Sequence, residues 1–122
     1  MAANSPLLLV DDDADIREAI RMTLEDEGYE VVEAGNGHEA LEWLRSHPLP
    51  TMMLLDWNMA PMNGAEVMAE VSKEPRLAEL PIVVLTADIT AQQKVQGSRH
   101  ADWLKKPFHL DELFAVIRRH ST

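Results

Sequence analysis

A doubly wound α/β domain on one five-stranded parallel sheet is the fold class predicted for this chain of 122 residues. Two observations carry that expectation. Short apolar runs without polar alternation, such as LLLV at 7–10 and PIVVL at 81–85, suit strands covered on both faces. Between them, apolar residues recur three and four apart, the spacing of a helix with one buried face. Strand and helix alternate five times, a pattern that gives a parallel sheet flanked by helices.

Residues 7–10 are the first strand, which ends abruptly at Asp11, Asp12 and Asp13. Residues 14–27 follow as a helix with Ile16, Ala19, Ile20, Thr23 and Leu24 inward, capped by Asp12 or Asp13 and stopped by Gly28. The second strand covers 29–33, and Ala34, Gly35 and Asn36 make a turn. The second helix, 37–47, turns Gly37, Ala40, Leu41 and Leu44 inward and is ended by Pro48 and Pro50. Trp43 lies off that stripe and is read as a cover over apolar surface. The third strand, 51–55, runs into Asp56 and a loop holding Pro61, Asn63 and Gly64. A helix over 64–72 presents Val67, Met68 and Val71, and 73–80 is a loop containing Pro75. The fourth strand, 81–85, ends in Thr86 and Ala87. Thr90 followed by Gln93 resembles a capping box for a short polar helix with Val95 inward. Residues 102–104 are the fifth strand, followed by Lys105, Lys106 and Pro107. The last helix, 110–119, buries Leu110, Leu113, Phe114 and Ile117, and Arg118 and Arg119 suit its negative end.

Composition narrows the function classes. The length is that of one ordinary domain, so 1–122 is read as a single one. With no cysteine there is neither a disulfide nor a thiolate metal site, which fits a cytoplasmic protein. No run is long enough to span a membrane, and residues 1–6 are too short and polar for a signal peptide. The formal charge of −10 repels nucleic acid and anionic lipid, so direct binding to either is not expected.

Right-handed crossovers bring every strand's carboxyl end to one edge of the sheet, where ligands collect in open α/β folds. Asp11, Asp12, Asp56, Thr86 and Lys106 therefore face that edge together. Two unit charges about 4 Å apart interact by roughly 4 kcal/mol at an effective dielectric of 20. One lysine does not neutralise three aspartates, whereas a divalent cation does, and an all-oxygen ligand set points to a hard ion such as Mg²⁺. Such an ion also serves phosphoryl transfer, with Asp56 free as nucleophile and Thr86 and Lys106 placed to hold phosphoryl oxygens.

Other readings of the same residues fail on spacing. Asp11, Asp13 and Asp15 imitate the start of a calcium loop, but Ile16 stands where glycine is needed and Met22 where the bidentate glutamate is needed. The histidines His38, His47, His100, His109 and His120 show no metal-binding spacing. No glycine-rich phosphate loop or second acid–base pair supports a small hydrolase or a flavin carrier.

The motifs LLLVDDD, LLDWNMAPMNG, VVLTAD and DWLKKPF, in that order, resemble the receiver domain of the two-component response regulator family, most nearly the stand-alone chemotaxis type in size. The resemblance covers nearly the whole chain and implies a flavodoxin-like (βα)5 receiver fold. It implies that Asp56 is the phosphoacceptor, and that Asp11 and Asp12 bind Mg²⁺ with Asp56 and the backbone carbonyl of Asn58. By the same similarity Thr86 and Lys106 sense the phosphate, and Trp103 is the switch aromatic. The implied partners are a sensor histidine kinase or phosphotransfer protein and a downstream protein target, with weak homodimerisation left open. The implied behaviour is a switch rather than an enzyme with a separate product; the alternative is a receiver-like interaction module whose output is independent of phosphorylation. The sequence departs from the family pattern where Ala60 separates Met59 from Pro61. It departs again in the slightly short 86–106 segment with Arg99 and His100, and in the bulk of Trp103.

Overall fold

The structure is a computed structural model that describes residues 5–60, 62–87, 101–106 and 108–120. In chain order the elements are β1 (Leu7–Val10), α1 (Ala14–Asp26), β2 (Val31–Ala34), α2 (Gly37–Ser46), β3 (Met52–Asp56) and α3 (Gly64–Ser72). A short 3-10 turn (Pro75–Leu77) precedes β4 (Ile82–Thr86) and β5 (Ala101–Lys105), and α4 (Leu110–His120) closes the described chain. The five strands form one sheet in the order β2-β1-β3-β4-β5, and every pairing is parallel. The doubly wound fold is thus as expected. The helix expected from Thr90 lies outside the described residues.

Side chains alternate across each strand, and the sheet separates two cores. Leu8, Val10, Met53, Leu55 and Val84 meet Ala40, Leu41 and Leu44 of α2 and Val67 and Val71 of α3. On the other face Leu7, Leu9, Met52, Leu54, Val83 and Leu85 meet Leu24 of α1 and Leu113, Val116 and Ile117 of α4. The central strands β1, β3 and β4 are buried along their whole length, which is why they read as unbroken apolar runs. Strand β2 lies at the sheet's edge and is only partly buried.

Local signals set the element ends. The Asp13 side chain accepts from the N–H groups of Asp15 and Ile16 and caps α1, while Gly28, at φ +95, takes the left-handed turn after it. Asn36 caps α2, and Asn63 with Glu66 forms a reciprocal capping box on α3.

Three inward assignments are corrected. Ile16 and Leu110 are 46% and 49% exposed, and Ala19 is exposed as well. Ile16 and Leu110 sit in the first turns of α1 and α4, near the site edge. Helix α1 packs through its second half, with Leu24 buried and Ile20 partly so. Trp43 covers apolar surface as expected: it packs on the α2/α3 core and stacks on His47 with ring centroids 4.5 Å apart. At the far end of the sheet, Asp102 accepts from Arg119 at 2.7 Å and from the Trp103 N–H at 2.8 Å, and pairs with His120 at 3.1 Å. Burial raises the Asp102 pKa, but these bonds outweigh it, and the net direction is downward. Among the described residues no helix is long and apolar enough to cross a membrane.

Candidate functional site

The carboxyl ends of β1, β3, β4 and the exit from β5 meet at one edge. Asp11 follows β1, its N–H bonded to Ala34 O at 3.2 Å, which continues the ladder one residue beyond the strand. Asp56 ends β3 in register with Leu85, and the Trp57 N–H reaches Leu85 O at 3.1 Å. The Lys106 N–H donates to Thr86 O at 2.9 Å, so the lysine leaves β5 beside the end of β4. From there its ammonium donates to Asp56 Oδ1 at 3.0 Å.

One carboxylate oxygen from each of Asp11, Asp12 and Asp56 lies within 4.8 Å of the other two. Asp11 and Asp56 are buried, whereas Asp12 is exposed. Asp11 Oδ1 accepts from the Asp13 N–H at 2.9 Å, and Asp11 Oδ2 is buried without a hydrogen-bond partner. Burial pushes the Asp11 carboxyl above its ordinary value; the Asp13 N–H opposes this, Asp56 adds to it, Lys106 opposes it and Asp12 adds to it. An orphaned buried carboxylate oxygen beside two further carboxylates fits a small hard cation, which would give that oxygen its missing partner.

The remaining expected residues divide. Thr86 is fully buried at the end of β4, directly across from Lys105 in register. Trp103 faces Val84 two pairs earlier and packs, partly buried, on the α2/α3 core. Thr86 lies two residues beyond Val84, so Thr86 and Trp103 share that face of the sheet. Asn58 is exposed in the loop after β3. That loop is drawn closed by the Gly64 N–H on Trp57 O at 2.9 Å, and the Ala60 N–H points at Asp12 Oδ2 at 3.4 Å. Pro61, the displaced proline, lies outside the described residues.

One site neighbour had no signal in the sequence. Arg17, in α1, donates from Nη1 to Asp11 O at 2.8 Å and from Nε to Glu33 Oε1 at 2.9 Å. Its position among alternating charges on a helix marks it only as surface, and its partners are brought to it by the sheet.

An acidic group and a lysine gathered at the carboxyl edge of a doubly wound parallel sheet define a receiver-type α/β domain. The chain belongs to the response regulator receiver domain family, whose pattern it matches over residues 7–118. It is 36% identical over 121 residues to the response regulator Rre1 of Synechocystis, covering 97% of this chain and 52% of that protein. It is 40% identical over 114 residues to the response regulator MprA of Mycobacterium leprae, covering 92% of this chain and 49% of that one. The chain thus spans about half the length of these curated relatives. Among solved structures it superposes on the chemotaxis protein CheY4 of Vibrio cholerae with a TM-score of 0.85 and 31% identity, over 95% of this chain and 98% of that one.

Proposed function

We propose that this domain is a Mg²⁺-dependent phosphoacceptor switch that takes a phosphoryl group onto Asp56. The observation that carries the reading is the buried Asp56 carboxylate tied to Lys106 at 3.0 Å, beside an Asp11 oxygen left without a partner. In the transfer, the Asp56 carboxylate attacks phosphorus, one P–O bond forms and the bond to the donor nitrogen of a phosphohistidine breaks. Lys106, already on Asp56 Oδ1, then holds a phosphoryl oxygen, and the Thr86 hydroxyl holds a second. Asp11, Asp12 and Asp56, with the Asn58 carbonyl, would hold Mg²⁺, which would supply charge neutralisation for the equatorial oxygens. The donor is a sensor histidine kinase or a phosphotransfer protein, and the recipient of the signal is a downstream protein target.

The reading is tested by acid-quenched phosphate incorporation from a small phosphodonor, with and without Mg²⁺. The parent should acquire a hydroxylamine-labile phosphate only with the ion, and Asp56→Asn should acquire none. Undiminished labelling of Asp56→Asn would sink the assignment.

A further inference from the structure

We infer that Arg17 is a positioning residue for the acidic pair, fixing the peptide that joins Asp11 to Asp12 so that both carboxylates are set for a cation. This rests on the proposed function, which places Mg²⁺ on those carboxylates.

Arg17 is itself anchored: its N–H makes the first bond of α1, to Asp13 O at 2.9 Å, and Asp13 caps the helix. Its guanidinium then bridges two elements, with Nη1 on Asp11 O and Nε on Glu33 Oε1 of β2. Glu33 is held in turn by Arg21, whose Nε lies 2.9 Å from Glu33 Oε2 at ion-pair distance. The carbonyl that Arg17 grips belongs to the peptide between Asp11 and Asp12. A peptide is planar, so holding its oxygen also sets the direction of the Asp12 N–H and the place of the Asp12 Cα. The other groups of Asp11 are fixed without Arg17, through Ala34 O and the Asp13 N–H. Asp12 has no comparable support among the described residues. It is exposed, and the Ala60 N–H approaches its carboxylate only at 3.4 Å, too long to orient it.

Two roles for this arginine differ in sign. If it acted as a charge alone, it would compete with a cation for the carboxylates, and its removal would tighten Mg²⁺ binding. As a positioning residue, its removal weakens Mg²⁺ binding. Lysine separates the two, because it keeps the charge but lacks the fork that spans Asp11 O and Glu33 together.

The experiment is a calorimetric Mg²⁺ titration of the parent, Arg17→Ala, Arg17→Lys and Glu33→Gln at one ionic strength. Unfolding midpoints in chelator report stability separately. Arg17→Ala should bind Mg²⁺ roughly ten-fold more weakly, as happens when a residue that orients metal ligands is lost. Arg17→Lys should also be weakened, and Glu33→Gln should shift the same way by less. Unchanged or tighter binding by Arg17→Ala would overturn the inference, as would parental affinity in Arg17→Lys. Should Arg17→Ala fail to fold, Arg17→Lys and Glu33→Gln decide it by the same criterion. A parent that binds no Mg²⁺ would overturn the site reading itself, which the first titration reveals before any variant is compared.

Discussion

Gly64 sits so close to Trp57 that a Cβ added to it would lie 2.8 Å from Trp57 Cε3 and 2.9 Å from Trp57 Cα. The contact closes the loop that leaves Asp56, and the Gly64 N–H bond to Trp57 O keeps it closed. Backbone on one side and a buried indole on the other leave little room to yield. Gly64→Ala should therefore destabilise the fold by about 1–3 kcal/mol, the usual cost of overpacking, measurable by urea unfolding. It should also slow phosphate incorporation, since the loop carrying Asn58 must shift. An unchanged unfolding midpoint would show that the loop has room to spare.

Lys106 places an ammonium where a cation would otherwise bind more tightly. Replacing it with alanine leaves Asp56 buried beside Asp11 without that partner. Mg²⁺ affinity should rise several-fold as the competing charge disappears, while phosphoryl transfer falls sharply because one oxygen loses its holder. Calorimetry and acid-quenched labelling of one preparation read the two effects. Mg²⁺ binding that weakens instead would mean the lysine organises the site rather than competing within it.

The raised Asp11 pKa fixes the sign of a pH effect. The folded state holds this proton to a higher pH than the unfolded chain, whose carboxyl has the ordinary value of 3.8. Below that value both states are protonated and Asp11 contributes nothing. As pH climbs from there through the folded pKa, ionising the buried group costs stability, and the cost then levels off. In chelator, Asp11→Asn should be more stable than the parent at neutral pH, with the difference vanishing near pH 3.5. Added Mg²⁺ should stabilise the parent and not the variant. Thermal melts across that range check both statements.

Thr86 and Trp103 lie on one face of the sheet, two residue pairs apart in register. Drawing the Thr86 hydroxyl toward a phosphoryl group should open space on that face, and the partly buried indole should move into it. In a Trp57→Phe background, the quencher accessibility of Trp103 should fall when a beryllofluoride mimic is added. The Thr86→Ala variant should lose that response. Equal quenching in both states, with and without Thr86, would take Trp103 out of the switch.

The sequence alone determined the layered α/β fold. Its central strands are buried on both faces, so their signal is an apolar run that no exposed element imitates, as Met52 to Leu55 shows. It also determined that the acidic residues and the lysine at the strand ends gather at one edge, because parallel strands joined by right-handed crossovers share one carboxyl edge. Asp11, Asp56 and Lys106 could be placed there by topology before any distance was known. Helix ends were legible where a local cap decides them, as at Asp13 and Gly28.

The tertiary structure decided what depends on how elements seat against one another. A helical stripe shows which side of α1 is apolar but not how far the helix docks, so Ile16 reads as buried and is exposed. The limits of β2 moved from 29–33 to Val31–Ala34 because an edge strand pairs on one side only and its weaker pattern marks its ends poorly. The closeness of Gly64 to Trp57, the unpartnered oxygen of Asp11 and the reach of Arg17 to Asp11 and Glu33 all depend on residues brought together by the sheet. Contacts between segments distant in the chain leave no periodic mark in it; only packing sets them.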